Sequence, residues 1–214
     1  KLNWLRQCGP ATHAMIGLIG AFLILGVICV GTPVFAYDTL EYHLGAPGEY
    51  YRHGYISHLE HNVYASFPQQ VEMLNLSGIV LSRSKTTGQQ TAILLQVLFG
   101  ILTAVTVGHL TGRIVSRRAV LPATLFFLTC PAFVGTAVRA HITLARCFFL
   151  SVALLATFLW LKSEDQNRDR PPPESPVFFL HHQWLLFAGF FCGLAAAVKY
   201  PAFLMVCLPF GILT

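Results

Sequence analysis

The run 11-ATHAMIGLIGAFLILGVICVGTPVFAY-37 holds no Asp, Glu, Lys or Arg in 27 residues. A helix needs about 20 residues to cross a hydrocarbon core of about 30 Å, so this run spans a bilayer with some tilt. It is longer than the 7–15-residue core of a secretory signal, has no convincing small-residue cleavage site, and is followed by more apolar runs; a cleaved signal does not fit. Lys1 and Arg6 form a short basic lead before it. Gly17, Gly20 and Gly26 predict a face where another helix packs closely.

Outward from this run the pattern repeats. Apolar stretches fall at 91–112, 119–138, 144–161, 177–198 and 201–214, the last cut off at Thr214. With 11–37 they make about six spans. The chain is 55% hydrophobic and 11% charged with a mean hydropathy of +0.61, against about 25% charged in soluble domains. The expected fold is all-α: one transmembrane domain over 1–214, a polytopic helix bundle. The chain starts without Met and stops inside an apolar run, so it reads as the N-terminal part of a longer protein.

Net charge is +5, but the cations sit at the ends of apolar runs and do not cluster with exposed aromatics. That excludes a nucleic-acid partner and points to membrane use of Lys and Arg. With the N-terminus inside, the inner segments hold Lys1, Arg6, Arg113, Arg117, Arg118, Lys162, Arg168 and Arg170. The outer ones hold Arg52, Arg83, Lys85, Arg139, Arg146 and Lys199, three of them in one long loop. The positive-inside rule therefore puts the long segment 38–90 on the outer face and the charged, Pro-rich linker 162–176 (KSEDQNRDRPPPESP) in the cytoplasm. The six cysteines have no metal-type spacing, and most lie in apolar runs as small hydrophobes.

Chemistry concentrates in 37-YDTLEYHLGAPGEYYRHGYISHLEHNVYASFPQQVE-72. Asp38, Glu41, Glu49, Glu60 and Glu72 are five of the chain's nine acids, and His43, His53, His58 and His61 are four of its nine histidines. Pro68–Ser82 reads as a helix through Val71, Leu74, Ile79 and Leu81, one of one or two short interfacial helices along the membrane surface, and Arg83–Gln90 as a polar connector. If a helix resumes at Asp38, Asp38 and Glu41 share a face; paired carboxylates in a partly dry site titrate apart, leaving one as a base. The alternative is that Asp38 caps that helix. His58 and His61 with Glu60 have a ligand-like spacing but no HExxH or cysteine partner, and no metal or cofactor is indicated. Tyr50, Tyr51, Tyr55 and Tyr64 fit an interfacial aromatic belt better than a stacking platform. Asn75-Leu76-Ser77 fits a glycosylation sequon. Arg139, His141, Arg146 and Lys199 lie at or within spans, where cations bind a lipid phosphate or snorkel to headgroups.

Asp38 after the first span, then Tyr42-His43, Pro47, Tyr50-Tyr51 and Gly54, with Asn62, Tyr64, Phe67-Pro68 and Glu72 downstream, resembles the first outer loop of polytopic glycosyltransferases of the C superfamily. These include the dolichyl-phosphate-mannose–protein mannosyltransferases and bacterial aminoarabinose transferases; the D-x-x-x-Y-H-x-x-x-P-x-x-Y pattern looks most like their bacterial relatives. Gly189-x-x-x-Gly193-Leu194-Ala195 and Lys199-Tyr200 look like a later span of the same family. The resemblance implies transfer of a sugar from a polyprenyl phosphate at the outer face of a bacterial inner membrane, to a glycan, lipid or protein acceptor. It implies Asp38 as catalytic base with Glu41 beside it, and Tyr42, His43, Glu72, Arg139 and Lys199 as substrate-binding, the cations neutralising the leaving phosphate. Many relatives carry a second Asp in the segment matching Ala140–Phe149, where this chain has Thr143; Glu41 or Glu72 then compensates, or the chemistry differs. Rival readings are a transporter or flippase component lined by Arg139, Arg146 and Lys199, and a non-catalytic assembly protein docking through the loop.

Overall fold

The computed structural model describes residues 9–167, 183–202 and 204. Among them the chain is helical with no strand. The helices are α1 Pro10–Cys29, α2 Gly45–His53, α3 Gln70–Ser82, α4 Lys85–Ile114, α5 Val120–Thr129, α6 Pro131–Ala137, α7 Thr143–Asn167 and α8 Gln183–Val198. By length and composition α1, α4 and α7 can each cross a membrane, and α5 with α6 makes a fourth span if the bent pair counts as one. All of 168–182 and most of 201–214, and with them the rest of the expected linker and most of the sixth run, lie outside the described residues.

The first apolar run is helical only to Cys29 and not to Tyr37. Gly31 and Pro33 follow, and the residue before a proline is pushed to extended backbone; residues 33–36 are accordingly non-helical. Asp38 therefore sits well past the end of α1 instead of one residue after it. The side chains of α1 are unburied within the chain, as expected of a helix facing lipid or further chain. Of its glycines only Gly26 meets another helix, its α-carbon facing Val97, while Gly17 and Gly20 face open space.

The second span is longer than its apolar run. Ser84 accepts from the Thr87 N–H at 3.3 Å and starts α4 there, so the stretch expected as a polar connector is the first turns of the helix. Immediately before it α3 lies folded back on α4, with Ile79 over Gly88 and Gly78 over Thr91. The third apolar run breaks at Cys130, with a bend of 57° between α5 and α6. Pro131 supplies no N–H and holds Cys130 extended (ψ 124°). The bend drops Phe133 onto Gly100, where a β-carbon would overlap its ring.

Two apolar clusters tie the loop to the spans. Leu44 packs with Ala92, Ile93 and Val97 of α4, with Ala137 and Ala140, and with Leu144 of α7. Val71 of α3 packs with Ile142, Ala145 and Phe149, and with Ala195, Val198 and Ala202 at the end of α8. The ends of α6 and α8 and the starts of α4 and α7 thus meet under the loop.

Candidate active site

Asp38 opens a π-helical turn, Thr39–His43. It makes no capping hydrogen bond from its side chain, and the carboxylate is about half exposed. The capping alternative is therefore not what the residue does here. Gly45 closes the turn; a β-carbon there would lie 2.5 Å from the Leu40 carbonyl oxygen, so only glycine fits. Thr39 anchors the turn across the molecule, its hydroxyl donating to the Arg139 carbonyl at 2.6 Å. Asn62 holds it from the other side by donating to the Glu41 carbonyl at 2.9 Å.

Opposite Asp38 is His141. Its Nε2 lies 3.9 Å from Asp38 Oδ2. Its Nδ1 is 2.6 Å from Thr143 Oγ1 and receives the Thr143 N–H at 3.3 Å. A backbone N–H can only donate, so Nδ1 is an acceptor and the ring proton sits on Nε2, facing Asp38. Burial, reinforced by His43, Lys199 and Arg146 and opposed by Asp38, lowers the His141 pKa to about 4, so the ring is neutral at physiological pH. Ala140 creates this position: its left-handed backbone (φ 51°) turns the chain between α6 and α7, a conformation that costs a non-glycine residue about 1–3 kcal/mol.

Behind the pair the chain is dry and polar. His43 Nδ1 and Glu72 Oε1 are 2.6 Å apart, with both side chains excluded from solvent. Asn75 donates to the His43 carbonyl at 3.1 Å; it is fully buried, which removes it as a glycosylation acceptor. The His43 ring meets His141 edge-on at 5.1 Å. Tyr42 stacks on Tyr64 at 5.3 Å, and burial together with Asp38 and Glu72 raises its pKa. Lys199, half-buried just beyond α8, comes close enough to act on His141 electrostatically, and the Phe67–Tyr200 ring contact holds that end against the loop.

The expected residues thus divide. Asp38, Tyr42, His43, Glu72 and Lys199 converge. Glu41 and Arg139 contribute backbone carbonyls, and the Arg139 side chain is exposed. His61 pairs with Glu49 at 3.2 Å rather than with His58, and among the described residues no three His, Cys, Asp or Glu side chains converge as a metal site. Tyr50 is core, packed with Ala46 and Leu59. His141 was expected only as one of four ionisable residues at the mouths of spans that could meet a lipid phosphate, not as the partner facing Asp38. Thr143, expected only as the place of a missing acid, is the residue that orients it.

Fold and site together define a multi-pass helical membrane protein with a polar, aromatic site at one end of its spans. The family model described as dolichyl-phosphate-mannose-protein mannosyltransferase matches residues 84–214, more than half of the chain. The chain belongs to that family and is a membrane glycosyltransferase. The match takes in Arg139, His141, Thr143 and Lys199 and leaves Asp38 to Glu72 outside it. No curated protein and no solved structure matches the chain.

Proposed function

We propose that this site transfers a sugar from a polyprenyl-phosphate donor to an acceptor hydroxyl at the outer membrane face, with Asp38 as base. The gap of 3.9 Å between Asp38 Oδ2 and His141 Nε2 is the observation that carries the reading. It is too wide for a direct hydrogen bond and suits an oxygen about 2.8 Å from each group. A hydroxyl there donates its proton to the Asp38 carboxylate and accepts from the His141 Nε2–H, which fixes its orientation. As the acceptor oxygen bonds to the anomeric carbon, the bond from that carbon to the phosphate oxygen breaks. The proton passes to Asp38, and the phosphate leaves with the bonding electrons, stabilised by Lys199. Attack opposite the leaving phosphate inverts the anomeric centre. His43 and Glu72, excluded from solvent, support the site from behind through the His43–His141 ring contact, Tyr42 stands beside them, and Glu41 and Arg139 hold the turn through their backbone carbonyls.

The test is transfer of labelled sugar from polyprenyl phosphate in proteoliposomes holding the full-length protein. Asp38→Asn keeps the shape and removes the base, and turnover is expected to fall by about 10²–10⁴-fold. Equal turnover in wild type and variant would remove Asp38 from the chemistry. Movement of the lipid across the bilayer without transfer would favour a flippase instead.

A further inference from the structure

The opposite end of the spans carries a second polar site that the transfer reaction does not use. His109, Gly112 and Arg113 of α4, Arg117 of the turn that follows it, Val120 of α5 and Lys162 of α7 line an open cleft of about 560 Å³. Clefts that hold small molecules have volumes of this order. Among the described residues its lining carries three fixed cations and a histidine and no carboxylate.

The position follows from helix geometry. Ile93 packs in the cluster under the loop, and Arg113 lies 20 residues further along the unbroken helix α4, about 30 Å away at 1.5 Å per residue. That is the thickness of a hydrocarbon core. Lys162 stands in the same relation to Thr143 along α7. The cleft and the Asp38 site therefore lie at opposite membrane boundaries. Gly112 and Gly108 allow the convergence. A β-carbon at Gly112 would overlap Val120, and one at Gly108 would overlap Thr124, so α5 can approach α4 and bring Arg117 beside Arg113.

We propose that this cleft binds a phosphate-bearing anion, with Arg113 and Arg117 as the guanidinium pair and Lys162 as the third cation. Guanidinium groups bind phosphate oxygens in pairs, and a lysine at the same boundary adds a point charge. An anionic phospholipid headgroup and a soluble phosphate compound share this chemistry. The single-charge alternative is that each cation merely snorkels to whatever headgroup is near, in which case Arg118, adjacent in sequence but outside the cleft lining, is as effective as Arg117.

The experiment places the full-length protein in phosphatidylcholine nanodiscs with a trace of spin-labelled phosphatidic acid, and reads the motionally restricted fraction. A preference over spin-labelled phosphatidylcholine is expected, falling about fivefold for each cation removed in R113Q, R117Q and K162Q, and unchanged in R118Q. Where R113Q or R117Q does not fold, K162Q alone is read in the same way. In a second arm, phosphorus NMR of inorganic phosphate is recorded with protein in plain phosphatidylcholine nanodiscs. Line broadening that K162Q abolishes, without lipid preference, assigns the cleft to a soluble phosphate compound. Absence of both signals in wild type, or an R118Q effect equal to that of R117Q, overturns the proposal. Sugar transfer by Asp38 is measured separately, so failure of one reading leaves the other standing.

Discussion

His141 is held from behind and aimed forward. The Thr143 backbone N–H donates to Nδ1 and so determines which nitrogen faces Asp38, and the Thr143 hydroxyl, 2.6 Å from Nδ1, holds the ring in that orientation. Thr143→Val keeps size and removes the hydroxyl. Transfer is expected to fall about 10- to 100-fold in kcat with little change in the donor KM, and Thr143→Ser is expected to restore it; a loss that Ser does not restore would make Thr143 a packing residue. The lowered pKa of His141 has a second consequence. A histidine with a pKa of 6.5 unfolded and about 4 folded binds fewer protons in the folded state between those values. Its contribution to stability is therefore complete above pH 6.5 and is lost as pH falls through 4. Thermal melting in detergent should drop over that window, and the drop should be smaller in His141→Gln. An identical pH profile in both proteins would contradict the burial argument.

At the scale of elements, the segment between the first two spans is held by polar contacts as much as by packing. α3 places Glu72 against His43 in a region without solvent, and a buried polar group left without a partner costs about 1–3 kcal/mol. Glu72→Leu is expected to lower stability by that amount and to loosen the π-helical turn carrying Asp38; Glu72→Gln, which still offers an oxygen to His43, should cost less. Chemical denaturation with tryptophan fluorescence measures the difference, and equal losses would mean that shape alone matters there. At the start of α4, Ser84→Ala removes the cap accepting from Thr87 and should cost about 1 kcal/mol, read in the same experiment. Of these elements, α3 was legible in its apolar residues to within two positions. The start of α4 was not, because RSKTTGQQ has the composition of a loop and its helicity depends on one serine and on α3 packed above it. The break at Cys130 was open to reading from Pro131, yet its 57° angle reflects Gly100 admitting the Phe133 ring from another helix.

For the whole molecule the two polar ends are the organising feature. The catalytic reading requires the Asp38 end to face outward. A cysteine at the exposed Tyr55, introduced by Tyr55→Cys, should be labelled by an impermeant maleimide in intact cells above the wild-type background. Arg118→Cys should be labelled only after permeabilisation, and the reverse pattern would invert the topology. Charge-free runs of about 20 residues state their own fate, because a backbone in hydrocarbon must satisfy its hydrogen bonds internally and only a helix does so within one segment. Membrane class and helical fold could thus be read from residues 11–37 outward. Which of the polar residues meet could not. Thr39 and Arg139 are 100 positions apart, His141 shows no periodicity or motif, and a hydrophobic pattern reports which face of a helix is buried but not which neighbour buries it. The site exists because Leu44 and Val71 anchor the loop on the ends of α4, α7 and α8, and contacts between distant segments are decided only when those surfaces pack.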